Sequence, residues 1–273
     1  LKQVEDKAIT ELIQKEKQAG LKVITDGEFR RATWHLDFMW AFEGIGHAPT
    51  NTGLPFHDEI AEIDDTFLVG KVELTKEHPF IEHFRFVQQF EDETTVAKLT
   101  IPAPAQFIEQ FIMPMNREQT NKYYANDQNL LEDIVAGYGA FIKQVYAAGC
   151  RNLQLDDCSW GVLVDPRAEL FFGADQKGLK RIKALLLEIN NRVLDAAPAD
   201  LTINTHVCRG NFHSTWACEG GYNDVADALL AKEHVNAFFL EFDDHRSGGF
   251  EPLASIPAGK KVVLGLITTK HAQ

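Results

Sequence analysis

Leu201-Thr202-Ile203-Asn204-Thr205-His206-Val207-Cys208 is the stretch from which the rest of the chain is best read. Leu201, Ile203 and Val207 are apolar, whereas Thr202, Asn204, His206 and Cys208 are polar or able to bind metal. Residues two apart on a strand point to the same face, so His206 and Cys208 should project together from the end of one strand. An imidazole and a thiol sharing a direction are two ready ligands for zinc. Taken alone, His-x-Cys reads equally well as a buried thiol beside a satisfied histidine, so the neighbouring segments must decide.

Those segments repeat the pattern. Gln154 and Asp156 share a side while Leu153 and Leu155 face the other way; Phe239, Glu241 and Asp243 oppose Leu240 and Phe242; Asp26 and Glu28 share a side earlier in the chain. Parallel strands covered by helices should be almost wholly apolar. Polar groups held in one register at several strand ends therefore point to a shared mouth, where the strand-to-helix loops of a (β/α)8 barrel build an active site. Any one of these carboxylates could equally be a solvated strand end or a helix cap.

Short apolar runs alternate with stretches of helical period, which predicts an α/β fold of repeated βα units. Helices are expected at Val4–Ala19, Asp127–Ala148, Gln176–Ala196 and near Val225–Ala231. Strands are expected at Leu21–Glu28, Val96–Ile101, Asn152–Asp157, Leu201–Cys208, Asn236–Asp243 and Lys261–Ile267. Residues 44–60, rich in Gly, Pro, Asn and Thr, read as an irregular excursion. Phe67–Leu74 and Phe84–Gln89 read as hairpin-like strands of an insertion spanning approximately 44–92. No linker divides the chain, so residues 1–273 are expected to form one domain.

Net charge is −13, from 27 basic and 40 acidic residues, which argues against a nucleic-acid surface or an anionic membrane as partner. The four cysteines form no CxxC pair and no dense framework, and no apolar run is long enough to span a bilayer. With no signal sequence in view, the expectation is a reduced, soluble, cytoplasmic protein.

At Val23-Ile24-Thr25-Asp26-Gly27-Glu28-Phe29-Arg30-Arg31, Leu155-Asp156-Asp157, Thr205-His206-Val207-Cys208 and Phe239-Leu240-Glu241, the chain resembles cobalamin-independent methionine synthase. The similarity is to the C-terminal catalytic barrel of that family, and more closely to its short single-barrel homologues. It extends over essentially the whole chain. The resemblance implies a (β/α)8 barrel of which strands two to seven lie in this sequence, the first and last strands being missing from it. It implies a Zn²⁺ ion held by His206, Cys208 and Glu241, with a further cysteine beyond residue 273. It also places Glu28 and Asp156 on the amino acid portion of homocysteine. No tryptophan stands where the family's folate contact falls, near Phe107 and Ile108, which leaves the methyl donor open.

The function so implied is transfer of a methyl group from a methyltetrahydrofolate-type donor to the thiol of homocysteine, forming methionine. A free thiol has a pKa of about 8.5 and is mostly protonated at neutral pH, a difficulty that binding to zinc removes. Arg30 and Arg31 are candidates for holding substrate or the anionic tail of a donor. Asp157, Lys270 and His271 are candidates for the acid that protonates the departing nitrogen. Two alternatives stay open: the same fold acting on another thiol or donor, and a non-catalytic zinc- or ligand-binding barrel. The oligomeric state is not legible.

Overall fold

In the computed structural model, which describes residues 1–50 and 52–272, strands and helices alternate along the chain. Helix α1 (Lys2–Gln18) leads through Gly20, at φ +83°, into the short strand β1 (Val23–Ile24). Helix α2 (Leu36–Met39) precedes an excursion of antiparallel structure: β2 (Glu43–Ala48), β3 (Leu54–Pro55), β4 (Ile60–Ala61) and β5 (Asp65–Glu73). β2 pairs with β5, and β3 with β4. Asn51, within the expected excursion, lies outside the described residues.

Regular alternation resumes with α3 (Pro79–Gln88), β6 (Val96–Ala97) and β7 (Leu99–Pro102), and continues through α4 (Pro104–Ile112), α5 (Pro114–Thr120) and α6 (Asp127–Ala147). Then come β8 (Asn152–Asp156), α7 (Ser159–Val164), α8 (Ala168–Phe172), α9 (Gln176–Asp195) and β9 (Thr202–Val207). A 3₁₀ turn at Asn223–Val225 and a π turn at Ala226–Leu230 lead to β10 (Ala237–Glu241) and β11 (Lys261–Gly265).

The central sheet is parallel throughout, with spatial order β11-β10-β9-β8-β7. β1 pairs parallel with β6, and only Lys98 separates β6 from β7, so β1 carries the same layer one strand further. One face is apolar: Leu153, Leu155, Ile203, Val207, Phe238 and Leu240 are buried in the core beneath the helices. Helix α4 is buried on nearly every side and lies against α6 and α9. The Asn126 side chain caps α6 by accepting from Asn129 N at 2.9 Å, and Asp175 caps α9 by accepting from Gly178 N at 2.7 Å.

Three expectations from sequence need correction. Residues 44–60 are not an irregular excursion, since most of β2 and all of β3 lie within them and pair antiparallel with β5 and β4. Phe84–Gln89 is not a strand but the end of helix α3 and the residue after it. Pro79 begins that helix, His78 caps it, and Phe80, Ile81, Phe84 and Val87 lie on one buried face at helical spacing. The inserted β-structure therefore ends at Glu73, and α3 is the crossover helix between β1 and β6. The strand expected over Leu21–Glu28 shrinks to two residues because Gly27 and Glu28 both turn left-handed, at φ +59° and +60°.

Candidate functional site

The ladder registers decide which side chains are neighbours. Asp156 on β8 lies opposite His206 on β9, and His206 lies opposite Phe239 on β10. One step earlier on the same face, Thr100, Gln154, Asn204 and Ala237 form a row across four strands. One step later stand Cys158, Cys208 and Glu241, just past or at the ends of their strands. Polar groups thus collect at the C-terminal edge, where open parallel α/β sheets and barrels bind their ligands.

Glu28 reaches this edge from a turn rather than from a strand. A non-glycine residue in the left-handed region costs of order 1–3 kcal/mol and persists only when its surroundings hold it. Here Asp26 Oδ1 accepts from Glu28 N at 2.9 Å. The Glu28 carboxylate accepts from Thr100 Oγ1 at 2.6 Å and from Arg31 Nη1 at 3.0 Å. Arg31 is almost wholly buried, donates also to Thr100 O at 2.7 Å, and stacks over the Phe80 ring. Gly27 suits the position beside it because its own φ of +59° is one that residues with a Cβ rarely adopt.

The structure separates the two arginines that sequence left together. Arg31 orients Glu28, whereas Arg30 turns back to pair with Glu5 and Asp6 on α1, away from the strand ends. The two aspartates leave the strand end on opposite faces, as alternation implies. Asp156 lies on the polar face, accepting from Gln154 Nε2 at 2.7 Å. Burial, with the Glu28 and Cys208 charges, raises its pKa to about 6 against the pull of His206. Asp157 faces the helices, fully buried, and accepts from Ser159 and from Asn190 Nδ2.

His206, Cys208 and Glu241 share one electrostatic environment. Burial opposes a charge on His206, yet the Cys208 thiolate, Asp156 and Glu241 outweigh it and lift its pKa to about 9. Cys158 Sγ lies 3.2 Å from Cys208 Sγ. This contact pushes the Cys158 thiol well above the usual range and, with His206 beside it, holds Cys208 well below it. Glu241 Oε2 accepts from Arg209 N at 2.8 Å, and Glu241 Oε1 lies 3.1 Å from Arg246 Nη1 without a hydrogen bond. Burial and the neighbouring Cys208 and Asp243 push the Glu241 pKa up.

An imidazole, a thiol and Glu241 Oε1, a carboxylate oxygen that accepts no hydrogen bond, suit zinc by donor type. Among the described residues, however, no three His, Cys, Asp or Glu side chains close around one point, Glu241 being drawn toward Arg209 and Arg246. Lys270 stands at the rim, donating to Gly210 O at 3.1 Å and Asn211 Oδ1 at 2.7 Å. Burial lowers its pKa, and Glu241 and Cys208 lie within range of its charge. His271 is exposed. Phe107 and Ile108 are fully buried in α4.

Several residues of the site escaped sequence reading. Cys158 follows Asp156 by two positions, as Cys208 follows His206, so alternation alone could have paired them. Thr100 and Lys98 sit on the polar face of the preceding strand, and Lys98 Nζ donates to Gln154 Oε1 at 2.8 Å. Arg209 and Arg246, both buried, brace Glu241, and no local pattern marks them.

The parallel α/β sheet with its polar strand ends is shared with solved structures of vitamin-B12-independent methionine synthases. A Shewanella sp. W3-18-1 enzyme of that name, solved with selenomethionine, shares the fold at TM-score 0.61 and 18% identity, over 96% of this chain and 69% of its own. A Listeria monocytogenes protein assigned provisionally as a vitamin-B12-independent methionine synthase aligns at TM-score 0.74 and 30% identity. That alignment covers all of this chain and 72% of the other. The Bacillus subtilis (strain 168) proteins YxjH and YxjG, both uncharacterized, are 38% and 35% identical over the whole of this chain and 71% of their own length. Comparison with models of known protein families returned no match. The chain belongs to the family of YxjH, YxjG and the Listeria protein. This kinship supports a methyltransferase-type enzyme acting on small molecules. No described helix is long and apolar enough to cross a membrane.

Proposed function

We propose that the protein transfers a methyl group to the thiol of homocysteine, on a (β/α)8 barrel. The observation that carries the reading is the register that seats His206 between Asp156 and Phe239, with Cys208 and Glu241 one step beyond. His206, Cys208 and Glu241 would hold a zinc ion, which when bound supplies a Lewis acid that keeps a substrate sulfur deprotonated near neutral pH.

The chain's own groups account for the rest of the recognition. Glu28 and Asp156 present two carboxylates to an ammonium group, a charge-assisted pairing that favours an amino acid over a simple thiol. Asp156, with a pKa of about 6, is mostly ionised at pH 7 and above and so able to accept from that ammonium. Arg31 and Thr100 keep Glu28 in its strained turn. Of the three candidate acids, Lys270 is favoured for protonating the leaving nitrogen because it alone lies at the rim near Cys208 and Glu241. A methyltetrahydrofolate-type compound is the donor this reading favours.

The test is metal analysis of the protein together with a methyl-transfer assay using homocysteine and a methyltetrahydrofolate. Bound zinc and activity, both lost in Cys208→Ser, are the expected result. A Cys208→Ser protein that is still active and binds no metal would exclude the reading.

A further inference from the structure

We propose that Cys158 and Cys208 form a reversible disulfide when the protein meets a peroxide, making the pair an oxidative modification site at the strand ends. Three observations carry it. First, the strand ends are held side by side: Asp156 pairs with His206, and Asp157 N donates to His206 O at 2.8 Å, two residues before each cysteine or less. Second, the sulfurs are in contact at 3.2 Å. A cystine bond is about 2.05 Å, so the sulfurs need to approach by only roughly 1 Å. Third, access is selective. Cys158 and Cys208 are partly exposed, whereas Cys150 and Cys218 are buried, their thiols directed at the carbonyls of Asn152 and Arg209.

The chemistry balances with peroxide as the oxidant. One of the pair, as thiolate, attacks an oxygen of hydrogen peroxide; the O–O bond breaks, a sulfenic acid forms and water leaves. The second sulfur attacks the sulfenic sulfur, the S–O bond breaks, a second water leaves and the S–S bond closes. Two thiols lose two hydrogens and one peroxide becomes two waters. A second thiol in contact diverts the sulfenic acid from further, irreversible oxidation. The cross-link does not depend on the metal reading. Only its consequence does: a sulfur tied up in cystine is lost as a thiolate ligand, so oxidation would release bound zinc.

The full-length protein, as isolated and after metal removal, is treated with hydrogen peroxide, alkylated and digested with trypsin without reduction. Cleavage places Cys158 in peptide 152–167 and Cys208 in peptide 193–209, with Cys150 and Cys218 each in other peptides. Mass spectrometry should find the two peptides joined with the loss of two hydrogens, two of the chain's four thiols blocked, and both restored by dithiothreitol. Cys158→Ser should abolish the species and Cys150→Ser should not. Metal-stripped protein in which Cys208 is oxidised alone, or in which neither thiol reacts, overturns the proposal. Equal cross-linking in an as-isolated protein that carries no metal would sink the zinc reading while leaving the disulfide standing.

Discussion

Glu28 shows how a single side chain can be aimed by cost rather than by propensity. Its left-handed backbone is unfavourable for a residue with a Cβ, and the ion pair to Arg31 and the bond from Thr100 offset that strain. Arg31 in turn reaches both Glu28 Oε1 and the Thr100 carbonyl through its planar fork, which lysine cannot reproduce. Arg31→Lys should therefore raise KM for the amino acid thiol about tenfold, equivalent to about 1.4 kcal/mol, with a smaller change in kcat. Steady-state kinetics over a range of thiol concentrations would check this, and an unchanged KM would remove Arg31 from the positioning role. Arg30→Ala should leave KM unaltered, since that guanidinium faces α1.

At the scale of elements, α7 is pressed onto the end of β9. A Cβ built on Gly161 would stand 2.5 Å from the Cys208 carbonyl oxygen and 3.2 Å from the Cys218 sulfur. The contact is with backbone, so it cannot be relieved by rotating a side chain. Gly161→Ala should destabilise the fold by about 1–3 kcal/mol through overpacking, seen as a lowered midpoint in denaturant. It should also disturb the approach of Cys158 to Cys208, because α7 begins immediately after Cys158. A variant as stable as the parent would show that α7 has room to withdraw.

Across the whole molecule, acids sit inside the helical layer as well as at the strand ends. Glu109 on α4 is fully buried, and burial together with the Asp157 charge raises its pKa to about 8. Raised above its ordinary value of 4.5, this group stabilises the fold while protonated in the native state. Its contribution is complete below about pH 4.5 and is lost as pH climbs through about 8, with a slope of about 1.4 kcal/mol per pH unit between. Glu109→Gln, which can still accept from Gln106, should flatten that fall and be more stable than the parent at pH 8. Urea unfolding at several pH values measures it, and parallel pH profiles would contradict the assignment.

Much of this was legible in the residues themselves. The apolar and polar alternation of Leu201–Cys208 marked β9 and its outward groups, because side-chain direction in a strand has a period of two that sequence preserves. The helical spacing of residues 127–147 and 176–195 was equally plain, and so was the candidate set Glu28, Asp156, His206, Cys208 and Glu241. Local pattern could not decide what depends on contacts distant in sequence. It could not tell Arg31 from Arg30 in role. Nor could it show that Phe84 belongs to a helix, that Arg209 and Arg246 draw Glu241 aside, or that Cys158 rests against Cys208. Alternation along one strand fixes which way a side chain leaves the backbone; only the packing of separate strands and helices fixes what it then meets.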